Sequence, residues 1–271
     1  MIRVPSPTSG VFFVAGVAVV FVWGGMALRL WLGEGGLLAA EWLLLFAPAL
    51  LFVRFGRYDP VATLAVDGPS LPAAAAAVLL VAGAMPAAWA IGWVQSFVLP
   101  VPHSVVEGLR MLVTADDAPR LVWLLLILAV TPAVCEETVF RGVLLSSTRT
   151  LAPWRAVVLN GLVFGAFHIS FEAPVRFLPT AWLGIVMAWA VLRARSLWVG
   201  VLMHLLNNGT IVLLASVPAL SGLVTDPDAP PPIGLLLAGI LSLGAGVAVM
   251  RREPRRRASA DSTPLQTRHH D

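Results

Sequence analysis

The sequence predicts an all-α polytopic membrane protein, a bundle of about eight transmembrane helices, on three observations. Apolar and aromatic residues make up 58% of the 271-residue chain and charged residues only 12%, about half the share of roughly 25% found in soluble domains. The mean hydropathy is +0.86, which leaves too little polar surface to coat a soluble globule. The apolar residues also fall into runs near the length of about 20 that crosses a bilayer.

Eight runs qualify: residues 10–32, 36–53, 71–96, 120–147, 153–171, 176–194, 196–217 and 233–250. The first has no charged n-region and no clear small-residue cleavage site, so it reads as a span and not as a signal peptide. The second carries Glu41 near its outer end, where it is expected to snorkel or to pair with Arg29, without a functional role. The third is Ala-rich and uninterrupted by charge. Between it and the fourth, residues 102–114 are too few to span and are expected to lie on the surface as a short amphipathic helix. The fourth is long, and Pro132 predicts a kink near its middle. The fifth and seventh carry polar residues, taken up below. Pro230, Pro231 and Pro232 form a stop before the last. Residues 1–250 thus read as one transmembrane domain with a catalytic core at about 119–217, and residues 251–271 as a disordered, Arg-rich cytoplasmic tail.

A single cysteine excludes a disulfide scaffold. All 18 basic residues are arginine and the net charge is +3. They punctuate the apolar runs instead of clustering with aromatics on one face, so a nucleic-acid partner is not expected. Abundant Ala, Val, Leu, Gly and Arg without Lys points to a GC-rich, bacterial genome. With eight spans, Arg3, Arg54, Arg57, Arg149, Arg155, Arg193, Arg195 and six arginines of the tail share one side. Arg110, Arg120 and Arg176 lie on the other, with Asp116, Asp117, Glu172, Asp226 and Asp228. By the positive-inside rule both termini face the cytoplasm, and the protein is expected in a bacterial inner membrane.

Charge at mid-bilayer costs about 2.5–3.5 kcal/mol on insertion scales, which makes such residues candidates for function. The fourth span carries Glu136, Glu137 and Arg141, the fifth His168, and the seventh His204, Asn207 and Asn208. Residues four apart share a helical face. Glu137 and Arg141 should therefore pair, leaving Glu136 about 100° away without that partner. His204 and Asn208 point together, and Asn160, Phe164 and His168 form one stripe. At about 1.5 Å per residue, Glu136, His168, His204 and Asn208 lie roughly 16, 22, 12 and 18 Å from the cytoplasmic ends of their spans. Three helices of alternating direction thus place polar groups at similar depth.

Glu-Glu-x-x-x-Arg at Glu136–Arg141, Phe-x-x-x-His at Phe164–His168 and His-x-x-x-Asn at His204–Asn208, in that order on three late helices, resemble the CAAX protease and bacteriocin-processing family. These are the Abi-type intramembrane endopeptidases, related to the type II CAAX prenyl endopeptidase. The resemblance covers Glu136 to Asn208 with the surrounding helices; residues 1–118 and the tail carry no assignable motif. It implies an intramembrane peptidase in which Glu136 is general base on a water, His168 helps to hold that water, and His204 and Asn208 form the oxyanion hole. Glu137, Arg141 and Phe164 would support that set. It also implies a metal-free glutamate mechanism, no cofactor, and a membrane-associated protein or peptide substrate, processed by removal of a C-terminal tail or sorting anchor.

Other readings stand beside this one. Glu136, His168 and His204 are a two-His, one-carboxylate set of the kind that holds a metal, although no His-Glu-x-x-His motif is present. The same motifs could pack a non-catalytic immunity or scaffold module. A proton-coupled transporter would favour inverted repeats, and none is seen. Cys135, beside the acids, reads as a small buried hydrophobe, and His103, His269 and His270 as inert loop or tail residues.

Overall fold

The computed structural model describes residues 3–169, 176–225 and 229–253. Glu172, Asp226, Asp228, His269, His270 and the tail from residue 254 onward lie outside the described residues, as do residues 170–171 of the expected fifth span. The described chain is helical without strands. Its elements are α1 (Pro7–Leu32), α2 (Gly35–Phe55), α3 (Pro60–Leu64), α4 (Leu71–Ser96), α5 (His103–Val113), α6 (Ala118–Ser147), α7 (Pro153–Phe167), α8 (Phe177–Ala194), α9 (Leu197–Ala215), α10 (Gly222–Thr225) and α11 (Ile233–Arg252). Among them α1, α2, α4, α6, α8, α9 and α11 are long and apolar enough to cross a membrane.

The protein is thus an all-α polytopic membrane protein, with one departure from the expected eight full spans. α7 has 15 residues, about 22 Å at the helical rise, short of the roughly 30 Å hydrocarbon core. α11 in turn runs two residues past the expected limit, through Arg251 and Arg252. The arginines at its C-terminal end suit the negative pole of the helix dipole.

Local chemistry sets where the helices begin. Ser6 accepts from the Ser9 amide, Ser70 from the Ala73 amide and Asp117 from the Arg120 amide, each followed by proline in the first turn. That is the pairing of a capping oxygen with a residue that has no N–H to satisfy.

α6 lies at the centre. α1 and α2 pack on one side of it, with a core that includes Leu45, Val139, Phe140 and Phe164. α9 packs on another side, and α4, α8, α9 and α11 share a second core around Leu80, Met187, Val199 and Met203. Small residues bring these helices close: a Cβ on Gly184 would stand 3.0 Å from the Gly161 Cα, so α7 and α8 meet almost backbone to backbone. α1 exposes Phe12, Trp23, Leu30 and Trp31, as a lipid-facing helix must. α5 buries no residue, as expected of a surface helix, yet Val106, Leu109 and Val113 turn one of its faces onto an interior cavity.

The turn between α1 and α2 is tied to the start of α6. Arg120 grips the Glu34 carboxylate through both terminal nitrogens, one of them at 2.6 Å, and the Trp123 indole donates to it at 3.0 Å. The Arg120 guanidinium holds the Glu34 carboxyl below its ordinary value of 4.5, against the opposing pull of burial. A carboxyl depressed on folding stabilises the fold above its unfolded value and stops doing so as pH falls through the lower folded one. Both side chains are about a third exposed, so the contribution is of order 0.5–1 kcal/mol. Glu34→Gln should therefore unfold at lower temperature than wild type at pH 7, with the gap closing as the pH is taken below 4.5.

Candidate active site

The site is built on the middle of α6, where the helix departs from α geometry. Its ladder widens into π turns at Leu126–Val130 and again at Thr138–Leu144, with an α segment Thr131–Glu137 between them. Pro132 sits at the joint of the first widening. Proline has no N–H for the carbonyl four residues earlier, that of Leu128, and the Asn208 side-chain amide on α9 donates there instead, at 2.8 Å. The second widening is met in the same way: Asn160 on α7 donates to the Phe140 carbonyl at 2.7 Å. Two asparagines on neighbouring helices thus bond the opened backbone of α6, where π turns recur at functional sites.

Glu137 and Arg141 pair as the spacing predicts, at 2.7 Å, with both side chains fully buried. The pair is the hub of a larger network. Arg141 also donates to the Gly184 carbonyl at 3.3 Å, and its guanidinium lies 4.1 Å from the centre of the Phe164 ring, a cation–π contact strengthened by desolvation. The same Glu137 oxygen receives the Nδ1 proton of His204 at 3.0 Å. Gly200, one turn before His204, makes room: a Cβ there would come within 2.5 Å of the other Glu137 oxygen. Glu137 therefore fixes the His204 ring as well as Arg141, and leaves Nε2 for the cavity that His204 lines.

Glu136, 6% exposed, turns the other way, towards His168. His168 follows the last residue of α7, and its Nδ1 lies 2.9 Å from the Phe164 carbonyl. A carbonyl only accepts, so Nδ1 carries the proton and Nε2 of the neutral ring is a lone pair. That nitrogen stands 3.7 Å from the Glu136 Oε2, beyond a direct hydrogen bond. Phe164 separates the two histidines, its ring 4.6 Å from His168 and edge-on to His204 at 5.9 Å.

His168, His204, Asn208 and Phe164 line a cavity of about 770 Å³ bounded by α4, α5, α8 and α9, with mostly apolar walls. Glu136 stands behind His168 and off this lining. Asn208 faces the cavity while donating to Leu128 and accepting from the Asn207 amide at 2.9 Å; its nitrogen carries a second proton not used by either bond. Cys135 is fully buried among the apolar residues of α1, α2 and α6. Among the described residues no three His, Cys, Asp or Glu side chains converge closely enough to hold a metal ion.

Three features escaped the sequence reading. Glu41 neither snorkels nor pairs with Arg29: it is 7% exposed, begins a π segment Glu41–Phe46 that packs on the Glu136 stretch of α6, and has an oxygen without a hydrogen-bond partner. Burial reverses the expectation because α2 is pressed between α1 and α6. The role of Asn160 could have been sought from its buried stripe with Phe164 and His168; the Glu137–His204 bond, between separate helices, left no periodic trace.

Residues 118–210, from the start of α6 into α9, match the family model described as Type II CAAX prenyl endopeptidase Rce1-like. No curated protein and no solved structure matches the chain.

Proposed function

We propose that the chain is an intramembrane endopeptidase that cuts a membrane-associated protein or peptide with a glutamate-activated water, a reading supported by the match of residues 118–210 to the Rce1-like, type II CAAX prenyl endopeptidase family model. The observation that carries this reading is the pair formed by Glu136 Oε2 and His168 Nε2, two acceptors facing each other at 3.7 Å. Neither can donate to the other. A water in contact with both gives one proton to each, which orients its own lone pair away from them.

In the reaction the water oxygen bonds to the scissile carbonyl carbon while Glu136 takes one of its protons. The carbonyl π pair moves onto oxygen. His204 reaches that oxyanion through Nε2 when both ring nitrogens carry protons, and Asn208 through its second amide proton. Collapse of the tetrahedral species breaks the C–N bond, and Glu136 returns its proton to the leaving amine. Glu137, Arg141 and Phe164 touch no reacting atom; they hold the two histidines and the α6 backbone in register.

In this proposal the chemistry uses no metal and no cofactor: His204 and Asn208 both line the cavity, and an oxyanion gives a role to both where a metal gives one to the histidine alone. We place the protein in a bacterial inner membrane with both termini cytoplasmic, acting by removal of C-terminal tails or sorting anchors. Comparing the peptide termini of membranes holding wild type with those holding Glu136→Ala tests the activity. New termini should appear only with wild type and persist after a membrane-permeant chelator. Identical termini in both would overturn the reading, and loss on chelation with recovery on adding zinc would overturn its metal-free form.

A further inference from the structure

The walls of the cavity are confined to one half of the bundle. On α4 they run from Val78 to the last residue, Ser96, and on α9 from His204 to Leu214, one residue short of its end. On α8, which runs the opposite way, they run from Pro179 to Met187 and stop. α11 contributes only Leu235, in its first turn. Residues 71–77 of α4, 197–203 of α9, 188–194 of α8 and 236–252 of α11 take no part. α5 and Arg176, outside the spans, close the same end.

The helix ends that take no part adjoin Arg54 in the last turn of α2 and Arg57 after it, Arg193 in the last turn of α8 and Arg195 after it, and Arg251 and Arg252 on α11. The end where the cavity lies carries Arg110, Arg120 and Arg176, with Glu34, Glu107, Asp116 and Asp117. Clustered arginine is retained on the cytoplasmic side, while acidic residues have little influence.

We infer that the catalytic cavity opens on the extracytoplasmic side, beneath α5, and that the substrates are chains whose scissile bond is presented from that side of the membrane. This rests on the endopeptidase reading for the word substrate, but not for the direction of the opening. A cytoplasmic tail cannot reach the cavity without crossing the bilayer. The chain selected is an apolar segment that leaves the membrane outward, such as the extracytoplasmic end of a transmembrane anchor. Its apolar residues match the walls formed by Met85, Trp89, Leu183 and Leu206.

The single cysteine, Cys135, is fully buried, so side-specific labelling tests the direction. In full-length protein carrying Cys135→Ala, cysteine is introduced at Ser96 or Thr180 on the cavity wall, and at exposed Asp67 as the opposite-side control. A membrane-impermeant maleimide added to right-side-out vesicles should label S96C and T180C and spare D67C. Inside-out vesicles should give the reverse. Labelling of S96C and T180C only from the D67C side would overturn the proposal, whatever the catalytic activity. So would termini that vanish with Glu136→Gln and map to cytoplasmic segments. If no termini change while the labelling pattern holds, the endopeptidase reading fails and the outward opening stands.

Discussion

Glu136→Gln should abolish turnover, by at least about 10³-fold, while leaving the unfolding temperature within a degree or two of wild type. The loss follows from removing the acceptor that takes the water proton, an effect of general-base catalysis worth about 10²–10⁴-fold. The small change in stability follows from the surroundings. Among the described residues no group hydrogen-bonds the buried Glu136 Oε2, so a neutral amide of the same shape, which still offers an oxygen to the bridging water, removes a poorly solvated carboxyl and little else. Turnover per folded molecule and thermal unfolding in the same detergent measure the two quantities. Retention of a tenth of wild-type turnover would remove Glu136 from the reaction.

Glu137→Gln, one residue along, should fail for the opposite reason. It leaves Arg141, buried on every side, facing an amide, and it takes the carboxylate from the His204 ring. Breaking a buried pair by deleting one partner costs about 3–5 kcal/mol, so loss of folded protein should precede any loss of chemistry. Arg141→Lys should recover little, because a lysine ammonium cannot reach the Gly184 carbonyl and lie flat on the Phe164 ring at once. Gly200→Ala should resemble Glu137→Gln in milder form, by driving a methyl group into the space of the Glu137 carboxylate. Yield of folded protein and unfolding temperature, measured across these variants, separate this network from Glu136. Equal stability of Glu136→Gln and Glu137→Gln would erase the division between them.

What was legible in the sequence was local in nature. The Glu137–Arg141 pair is an i,i+4 contact on one helix, and its geometry follows from the helical repeat alone. The spans follow from the hydropathy of about twenty residues at a time. Which residues meet across helices depends on how each helix is turned about its axis, and periodicity says nothing of that. Placing Glu136 against His168 therefore needed the resemblance of three ordered motifs, whereas His204 and Asn208, four apart on one helix, pointed together from spacing alone. Pro132 was seen as a break in the ladder, but the break became a pair of π widenings bonded by Asn208 and Asn160. A π turn shifts the angular register of everything beyond it, so strict α-helical wheels mislead across Thr138–Leu144. Glu41 was misread because distance along a span measures depth and not burial against a neighbouring helix.

The short reach of α7 bears on where in a cell such chemistry can run. A helix that covers about 22 Å where lipid chains extend about 30 Å creates hydrophobic mismatch, and the bilayer answers by thinning at that point. His168, at the tip of α7, is then brought nearer to bulk water than a full-length span would allow, and the reacting water has a shorter path in. The lipid becomes a regulator of supply: reconstituted into short-chain lipids the protein should turn over faster than in long-chain ones, and a cell could set its rate by acyl-chain length without changing a residue.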